Sequence, residues 1–225
     1  MKILVACEES QAVTIELRSL GHEAYSCDIQ NCSGGHPEWH ITGDVIPLLN
    51  GRCSFNTTDG TAHEILTNWD MIIGFPPCTK TSNAGACHLF RGGHLNLRRL
   101  YEGLCGKAFF LTLWNAECAK IILENPTPST IFEYPKPSQV IQPYLFDEFD
   151  EHPYTKKTLL WEKGVAPLVP TTPDKKPVGP YVPAGTGRKD RSKYGAAKRG
   201  EDAKNRSKTF HGIARAMAIQ FAGEA

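Results

Sequence analysis

The opening of the chain alternates between strand and helix patterns, and this alternation restricts the fold more than any other feature of the sequence. Residues 2–7 form a short apolar run typical of a buried strand, and residues 23–29 form a second one that closes on Asp28. Between them, apolar residues recur at helical spacing over 11–20, and Gly21 follows as a typical helix-ending glycine. A strand, a helix and a strand in this order predict an α/β fold with a parallel sheet and right-handed crossovers.

The same two patterns return later in the chain. Short apolar runs predict four more strands, at residues 41–45, 70–74, 121–123 and 158–161. Helical spacing predicts a long helix over 98–120 and a last one over 209–221, whereas residues 83–94 and 165–187 are rich in glycine or proline and predict irregular loops. With 225 residues, the sequence suits one sizeable α/β domain and is too short for two.

Composition narrows the class of protein. Hydrophobic residues make up 40% of the chain, which suits a globular domain, yet no stretch approaches the roughly 18 uninterrupted apolar residues of a membrane helix. The apolar start is too short for a signal peptide, so we expect a cytoplasmic protein without a membrane partner. The net charge is only +1, but residues 188–208 contain nine Lys or Arg against three Asp or Glu. This basic stretch suits phosphate binding, and a solvated surface explains it equally well.

Polar or chemically distinctive residues follow three of the predicted strands. Cys7 and two glutamates follow the first, Cys78 follows two prolines after residues 70–74, and Glu124-Asn125-Pro126 follows residues 121–123. Because ligands bind outside the carboxyl ends of the strands in open α/β sheets, we expect Cys78 and Glu124 to meet in one cleft. A cysteine held rigidly by prolines is a candidate nucleophile, and a carboxylic acid beside it can protonate or hydrogen-bond a ring nitrogen.

These two segments, GFPPCT at residues 74–79 and ENP at 124–126, resemble the Pro-Cys and Glu-Asn motifs of DNA cytosine-5 methyltransferases. Four further segments extend the resemblance, in order, over nearly the whole chain: CEESQ with LGHEAYSCDI, CSGGHPEWH with GDV, QPYLF with KKTLLW, and RSKTFHGIARAMA. The chain is most similar to the short phage and prophage members of that family. The resemblance implies a Rossmann-like S-adenosylmethionine-dependent methyltransferase fold, with a mostly parallel sheet flanked by helices.

The resemblance also implies an activity and its catalytic residues. Cys78 would attack carbon 6 of cytosine, after which carbon 5 takes the methyl group from S-adenosylmethionine. Glu124 would lie at N3 of the base, where it offsets the charge that develops, and Asn125 would brace the loop. The partner would be DNA, and the target base must leave the duplex to reach these residues.

The family's cofactor and DNA contacts carry over to positions of this sequence in the same way. The turn after the first strand would approach the methionine part of the cofactor, Asp28 the ribose hydroxyls and Asp44 the adenine amino group, while Phe75 and Pro76 would line the pocket. The cofactor residues implied are Ala6, Cys7, Glu8, Ser10, Gln11, Asp28, Ile29, Asp44, Val45, Phe75 and Pro76. The DNA-binding residues implied are Thr79, Ser82, Lys156, Lys157, Arg188, Lys189, Arg191 and Lys193.

The sequence departs from the family pattern at several positions. The family's Gly-rich first turn is replaced by Cys7-Glu8-Glu9-Ser10-Gln11, and Thr79 stands where glutamine is usual. Gln142 with Lys156 and Lys157 is the nearest counterpart of the Gln-x-Arg-x-Arg segment. We therefore predict a catalytic core over 1–164, a reduced segment over 165–205 in place of a target-recognition domain, and a C-terminal helix over 206–225 that packs back on the core. A partner protein of unknown identity would be one source of sequence specificity.

Two alternatives to a DNA methyltransferase are also compatible with the sequence. The short recognition segment leaves RNA or a free cytosine nucleotide as the substrate, and the altered first turn leaves a non-catalytic nucleic-acid-binding relative. Cys27, Cys32, His36 and His40 form a C-x4-C-x3-H-x3-H pattern that contains zinc-binding residue types. Its spacing is not that of a standard zinc finger, so we predict no metal site.

Overall fold

A computed structural model of the protein describes residues 1–181 and 208–225. The regular elements in this part of the chain are short strands and three α-helices. In chain order they are β1 (Lys2–Ala6), α1 (Ala12–Ser19), β2 (Glu23–Asp28), β3 (His40–Thr42), β4 (Cys53–Asn56), β5 (Ala62–Ile65), β6 (Met71–Gly74), β7 (Phe90–Arg91), β8 (His94–Leu95), α2 (Leu97–Trp114), β9 (Ile121–Pro126), β10 (Gln139–Ile141), β11 (Tyr154–Thr155), β12 (Thr158–Lys163), β13 (Gly179–Pro180) and α3 (His211–Met217).

Seven of the strands form one mixed sheet in the order β10-β12-β9-β6-β1-β2-β3. The five strands from β9 to β3 in this order run parallel to their neighbours. Only β12 runs the other way, since it pairs antiparallel with both β9 and β10. Helices flank this mostly parallel sheet, so the predicted α/β class is confirmed.

The two faces of the sheet are covered by different helices. Side chains alternate along a strand, so Ile3 and Val5 of β1 enter one hydrophobic cluster while Leu4 enters the other. α1 and α3 cover the first face, where the buried Ile213 packs on the strands. α2 covers the second face through residues that include the buried Phe110. Both faces of the central strands are therefore buried under helices, which explains why the sequences of these strands are continuously apolar.

The structure revises several predicted boundaries. α2 ends at Trp114 rather than at 120, because the chain turns there and the Glu117 N–H donates to Oδ1 of Asn50 at 3.0 Å. β9 continues through Pro126, since β12 pairs with Asn125 and Pro126. Residues 83–94 are not irregular throughout: they contain a 3₁₀ helix at Asn83–His88 and then the β7–β8 hairpin.

The start of the predicted reduced segment packs against the core. Leu168 is 1% exposed, and its backbone N–H and C=O pair with the Gln139 side chain at 2.9 and 2.6 Å. The Gln220 side chain holds Val169 in the same way, at 2.7 and 2.8 Å. Two glutamines thus fix this stretch along the β10 edge of the sheet and against the C-terminal segment.

Two further predictions concern other parts of the chain. No helix within residues 1–181 and 208–225 has the length and apolar character needed to span a bilayer. Four of the predicted DNA-binding residues lie outside the described residues, and they are Arg188, Lys189, Arg191 and Lys193.

Candidate active site

A cleft opens where the strand order of the sheet reverses. β2 and β3 lie on one side of β1, and β6 and β9 lie on the other, so the carboxyl ends of β1 and β6 flank a topological switch point. A cavity of about 290 Å³ lies there, close to the lower end of the roughly 300–1,000 Å³ typical of small-molecule sites. Its lining residues are Cys7, Cys27, Asp28, Ile29, Gln30, Gly43, Asp44, Val45, Pro77 and Phe109. Five of these are predicted cofactor residues.

The turn after β1 brings Cys7 into the cleft. Cys7 has a φ of 60°, a left-handed conformation that is uncommon outside glycine, and its N–H donates to the Cys27 carbonyl at 2.7 Å. Gln11, with a φ of 58°, ends the same turn. The sequence lacks the Gly-rich turn of the family, yet its backbone adopts the conformation for which glycine is usually needed.

The thiols in the cleft are part of its apolar wall. Burial is the main cause that raises the pKa of Cys27 to about 12, and the Asp28 and Asp44 carboxylates add to the effect. The pKa of Cys7 is raised for the same reasons. Both groups therefore stay neutral thiols near neutral pH and are poor nucleophiles.

Two carboxylates, those of Asp28 and Asp44, line the cavity. Oδ1 of Asp28 accepts the Gln30 N–H at 2.9 Å, and Oδ1 of Asp44 accepts the Ile46 N–H at 3.0 Å. Each side chain is thus held by its own turn. Ile29, 80% exposed, and the buried Val45 provide apolar surface between them. The cleft therefore combines negative charge at its rim with apolar walls.

Two predicted cofactor residues instead hold the protein together. The Glu8 carboxylate accepts hydrogen bonds from the Val13 N–H at 2.6 Å and from the Thr14 N–H and hydroxyl at 3.2 and 2.7 Å. It caps the first turn of α1. Gln11 is fully buried, and its amide bonds to the backbone of His36 and to Ser26. Both side chains are thus engaged within the protein, and any contact of this turn with a ligand falls to its backbone.

The other predicted cofactor residues near the cleft act through their backbone or lie to one side. Ala6 is fully buried, and its carbonyl accepts the Phe75 N–H at 2.9 Å. The Phe75 side chain packs in the cluster under α1 and α3, on the face of the sheet opposite the cleft. Pro77 and Phe109 form the wall that was predicted for Phe75 and Pro76. The backbone of Ser10 lies close to Gly34. A Cβ atom at position 34 would lie 2.6 Å from the Ser10 carbonyl oxygen, so a larger residue would not fit there.

The Glu8 cap predicts a specific pH effect on stability. Burial raises the pKa of Glu8 to about 7 in the folded protein, although its three donors favour the ionised form. The folded state thus holds the proton more tightly than the unfolded state, so the stability that Glu8 contributes is present below about pH 4.5 and falls as pH rises through about 7. Glu8→Ala should cost about 1–2 kcal/mol through loss of the cap and should remove this pH-dependent fall.

Urea unfolding at a series of pH values checks that expectation. The matched control is Glu64→Ala, which truncates an exposed glutamate of β5. The difference in unfolding free energy between wild type and Glu8→Ala should shrink as pH rises, whereas the difference for Glu64→Ala should stay flat. Parallel curves for wild type and Glu8→Ala would show that Glu8 does not titrate in this range.

Cys78 begins a tight turn directly after β6. Its carbonyl oxygen accepts the N–H groups of Thr81 at 3.1 Å and Ser82 at 2.8 Å. The side chain is half-buried, beside the cavity wall formed by Pro77. Prolines and hydrogen bonds on both sides therefore hold the Cys78 backbone in place.

The end of β9 and the loop that follows it are fastened to this turn. Asn125 is 2% exposed, and its side-chain amide donates to the Pro76 carbonyl at 3.1 Å. Further along, the Ser129 N–H donates to the Thr81 carbonyl at 2.8 Å. The Cys78 turn is thus joined by two hydrogen bonds to the end of β9, which contains Glu124, and to the loop that follows it.

Glu124 lies at the carboxyl end of β9, one residue beyond the pairing of Gly74 with Leu123. Burial raises the pKa of its carboxyl group, and nearby Lys156 only partly offsets that rise. The group therefore stays protonated to a higher pH than an ordinary glutamate. A protonated carboxyl group donates a hydrogen bond, which is what a ring nitrogen with a free lone pair accepts.

Lys156 is a predicted DNA-binding residue whose charge acts on Glu124. Its ammonium group lies 4.8 Å from the centre of the Phe210 ring and 5.7 Å from that of Tyr181. Lys157 is exposed on the connection into β12. Thr79 is exposed and Ser82 is half-buried, both in the turn after Cys78.

Several residues at the site could not be assigned from the sequence. Tyr134 has its pKa raised mainly by burial and also by Cys78, so its phenol lies in the neighbourhood of that thiol. Phe109 reaches the cleft from α2, and Gly43 follows β3. Pro77 was predicted only to hold the backbone before Cys78, and its place in the cavity wall was not predicted. For Tyr134 and Phe109 the sequence contains no local signal, because their roles depend on which helix or loop packs there.

The four residues of the zinc-like pattern are not gathered into a metal site. The His40 ring bonds to Ser26 at 2.8 Å and to the Gln30 carbonyl at 2.9 Å. The His36 ring stacks on Trp39 with 3.9 Å between ring centres. Within residues 1–181 and 208–225, no group of three or more His, Cys, Asp or Glu side chains is arranged to hold a metal ion.

A second hollow, of about 530 Å³, lies between residues 46–50 and the C-terminal half of α2. Its lining residues are Ile46, Leu49, Asn50, Ala108, Leu111, Thr112, Asn115 and Ala116. None of these side chains titrates near neutral pH or is a nucleophile. The smaller cleft, which lies beside Cys78 and contains two carboxylates, is therefore the candidate active site.

Neither a scan against protein-family models nor a search of curated proteins finds a match to this chain. Its function is therefore inferred from the residues themselves and from their arrangement.

Proposed function

We propose that this protein is an S-adenosylmethionine-dependent methyltransferase that methylates carbon 5 of cytosine in DNA, with Cys78 as nucleophile. The observation that carries the proposal is the junction of two loops beside the cleft. The Asn125 side chain donates to the Pro76 carbonyl, so the segments that contain Glu124 and Cys78 are joined at the carboxyl edge of the sheet, which supports a shared role for the two residues. The sheet, with its one antiparallel strand β12 between β9 and β10, is compatible with the Rossmann-like methyltransferase fold that the motifs predict.

The cleft has the chemistry to hold S-adenosylmethionine. Asp28, at the end of β2, is placed to accept hydrogen bonds from the ribose hydroxyls, and Asp44 from the adenine amino group. Ile29, Val45 and Phe109 offer apolar surface to the adenine ring. The cofactor supplies an electrophilic methyl group on a sulfonium.

The side chains of the site account for each step on the base. The Cys78 thiolate forms a bond to carbon 6, and the electron pair of the C5–C6 double bond moves toward carbon 5. Glu124 donates its proton or a hydrogen bond to N3, which offsets the negative charge that develops on the ring. Carbon 5 then takes the methyl group. Loss of the carbon 5 proton to a base restores the double bond and expels the thiolate.

Methyl transfer to a panel of acceptors tests this function. Labelled S-adenosylmethionine is supplied with duplex DNA, single-stranded DNA, RNA or free deoxycytidine triphosphate, and the modified base is identified after digestion. We expect label in duplex DNA, recovered as 5-methylcytosine. Label only in RNA or in the free nucleotide would overturn DNA as the substrate. No label in any acceptor, with no cofactor binding, would overturn the methyltransferase class.

Asp28→Asn should weaken S-adenosylmethionine binding by roughly tenfold or more, because a charged acceptor becomes a neutral amide at the ribose hydroxyls. Calorimetric titration of the cofactor measures this. The control is Asp174→Asn, since Asp174 is an exposed aspartate in a turn away from the cleft. Equal affinities for wild type and Asp28→Asn would remove Asp28 from the cofactor site.

A further inference from the structure

We infer that the β7–β8 hairpin and the first turns of α2 form the surface that holds duplex DNA beside Cys78, with Phe90 and Leu95 pressing against the base stack. This inference rests on the proposed function and names the part of the chain that engages the substrate. It extends the DNA-binding residues predicted after Cys78, which are Thr79 and Ser82, to the hairpin and helix that follow them.

Four large apolar side chains are exposed on this surface: Phe90 at 56%, Leu95 at 38%, Leu97 at 72% and Tyr101 at 69%. We call these four the apolar patch. Phe90 and Leu95 are direct partners across the hairpin, so they lie on the same face of it. Leu97 and Tyr101 are four residues apart on α2 and share one face of the helix. A group of large apolar side chains left in water marks an interaction site.

The hairpin that carries the patch has a defined shape. Gly92 and Gly93 have φ values of 58° and 81°, which suit a two-residue turn with the twist of a β-hairpin. Leu89 is buried, and its carbonyl accepts the Asn96 N–H at 2.8 Å. The Asn96 side chain also caps α2 by accepting the Arg99 N–H at 3.1 Å. Hairpin and helix are thus joined at Asn96, and little ordering is needed when a partner binds.

Arg99 connects this unit to the nucleophile. Its guanidinium group donates to the Thr79 carbonyl, next to Cys78 in the chain. The guanidinium group also packs against Gly85. A Cβ atom at position 85 would lie 2.7 Å from Nη2 of Arg99, so the contact depends on the glycine. The apolar patch therefore has a fixed position relative to the Cys78 turn.

The charge around the patch favours a polyanion as the partner. Residues 79–107 contain five Lys or Arg and a single acidic residue, Glu102. Glu102 is already shared by Lys80 and by Arg98, whose Nε lies 3.1 Å from its carboxylate. The excess of positive charge suits the phosphates on both sides of a base step and would repel a second copy of the same surface.

Apolar side chains on a basic surface suit a duplex that must be opened. Proteins that distort DNA insert Phe or Leu side chains between base steps and unstack them. A cytosine must leave the stack to reach Cys78. Contact of Phe90 and Leu95 with the neighbouring bases would stabilise the duplex in that opened state, and the rigid hairpin sets where the contact falls.

Fluorescence anisotropy with two labelled DNA probes tests the surface without requiring turnover. One probe is a random-sequence duplex, and the other is the same duplex with its cytosines mispaired with adenine. We expect Phe90→Ala and Leu95→Ala to bind both duplexes roughly tenfold more weakly than wild type, because the contact with the neighbouring bases is lost in either case. Every variant should bind the mispaired duplex more tightly than the paired one, because mispaired cytosines leave the stack easily. Arg98→Gln should lower the slope of log affinity against log salt by about one.

Leu66→Ala is the matched control for Leu95→Ala. Leu66 is 71% exposed and follows β5, close to the amino ends of the central strands. Binding of the paired duplex by Phe90→Ala and Leu95→Ala at the level of Leu66→Ala would overturn the inference. Absence of binding of either duplex by the wild-type protein would also overturn the inference. A wild-type dimer that dissociates in Phe90→Ala would overturn it as well, because the apolar patch would then bind a second copy of the chain.

Methyl transfer measured on the same samples separates the two claims. Binding as expected with no transfer by wild type would overturn the proposed function and leave the surface standing. Transfer by wild type together with unchanged binding and transfer by Phe90→Ala would overturn the surface alone.

Discussion

If the proposed function is correct, we expect Cys78→Ala to lower the rate of methyl transfer to DNA by a factor on the order of 10⁴ or more and to leave cofactor binding and folding intact. The reason is that carbon 5 of cytosine becomes nucleophilic only after a thiolate adds to carbon 6, and alanine has no atom to make that bond. Cys78 is only half-buried, and its turn is held by backbone hydrogen bonds that alanine keeps. Labelled methyl transfer, cofactor titration and thermal unfolding measure the three quantities separately.

Cys105→Ala is the control for loss of a thiol. Cys105 is exposed on α2, where alanine is a good helix former, so its replacement should leave transfer unchanged. Cys78→Ser offers a second test, since the weaker hydroxyl nucleophile keeps the size of the side chain. Turnover by Cys78→Ala within tenfold of wild type would exclude the covalent mechanism.

We expect Glu124→Gln to lower the rate of methyl transfer by roughly 10²- to 10³-fold, the range expected for loss of a positioned acid. The amide still donates a hydrogen bond toward N3, but it cannot transfer a proton. Burial raises the pKa of Glu124, so in wild type the active, protonated form persists to higher pH than for an ordinary glutamate. The rate should then fall as pH rises through that raised pKa, because the ionised form has no proton to donate.

The pH profile of kcat/KM distinguishes this role from a structural one. The descending limb that Glu124 causes in wild type should be missing in Glu124→Gln, whereas a variant that merely misplaces the loop would keep it. Glu162→Gln is the matched control, because burial raises the pKa of Glu162 on the neighbouring strand β12 as well. Retention of the wild-type limb in Glu124→Gln would show that another group controls it.

The features that follow from local sequence were predicted well. The β1–α1–β2 opening follows from the spacing of nearby apolar residues, and the structure has it within one or two residues of the predicted bounds. That the segments of Cys78 and Glu124 meet at one edge of the sheet was also predicted from their positions on neighbouring parallel strands, and the hydrogen bond from Asn125 to the Pro76 carbonyl joins those segments. Neither inference needs to know how distant parts of the chain pack.

What the sequence did not reveal depends on contacts between separate segments. The Glu8 carboxylate was predicted at the cofactor, but the left-handed backbone at Cys7 and Gln11 turns it under the first turn of α1. Phe109 carries no mark that distinguishes the cleft wall from the core. The β4–β5 hairpin also went unpredicted, because its strands are short and largely exposed and so lack a clear apolar pattern.

The most direct test of the central claim is to trap the bond between Cys78 and the base. Duplex DNA that contains 5-fluorocytosine is incubated with the protein and S-adenosylmethionine, then digested for mass spectrometry. Fluorine at carbon 5 cannot leave as a proton does, so the methylated adduct should accumulate, attached to the peptide that contains Cys78 and missing when Cys78 is alanine. Methylation of ordinary cytosine in DNA without any such adduct, or an adduct on another cysteine, would contradict the account.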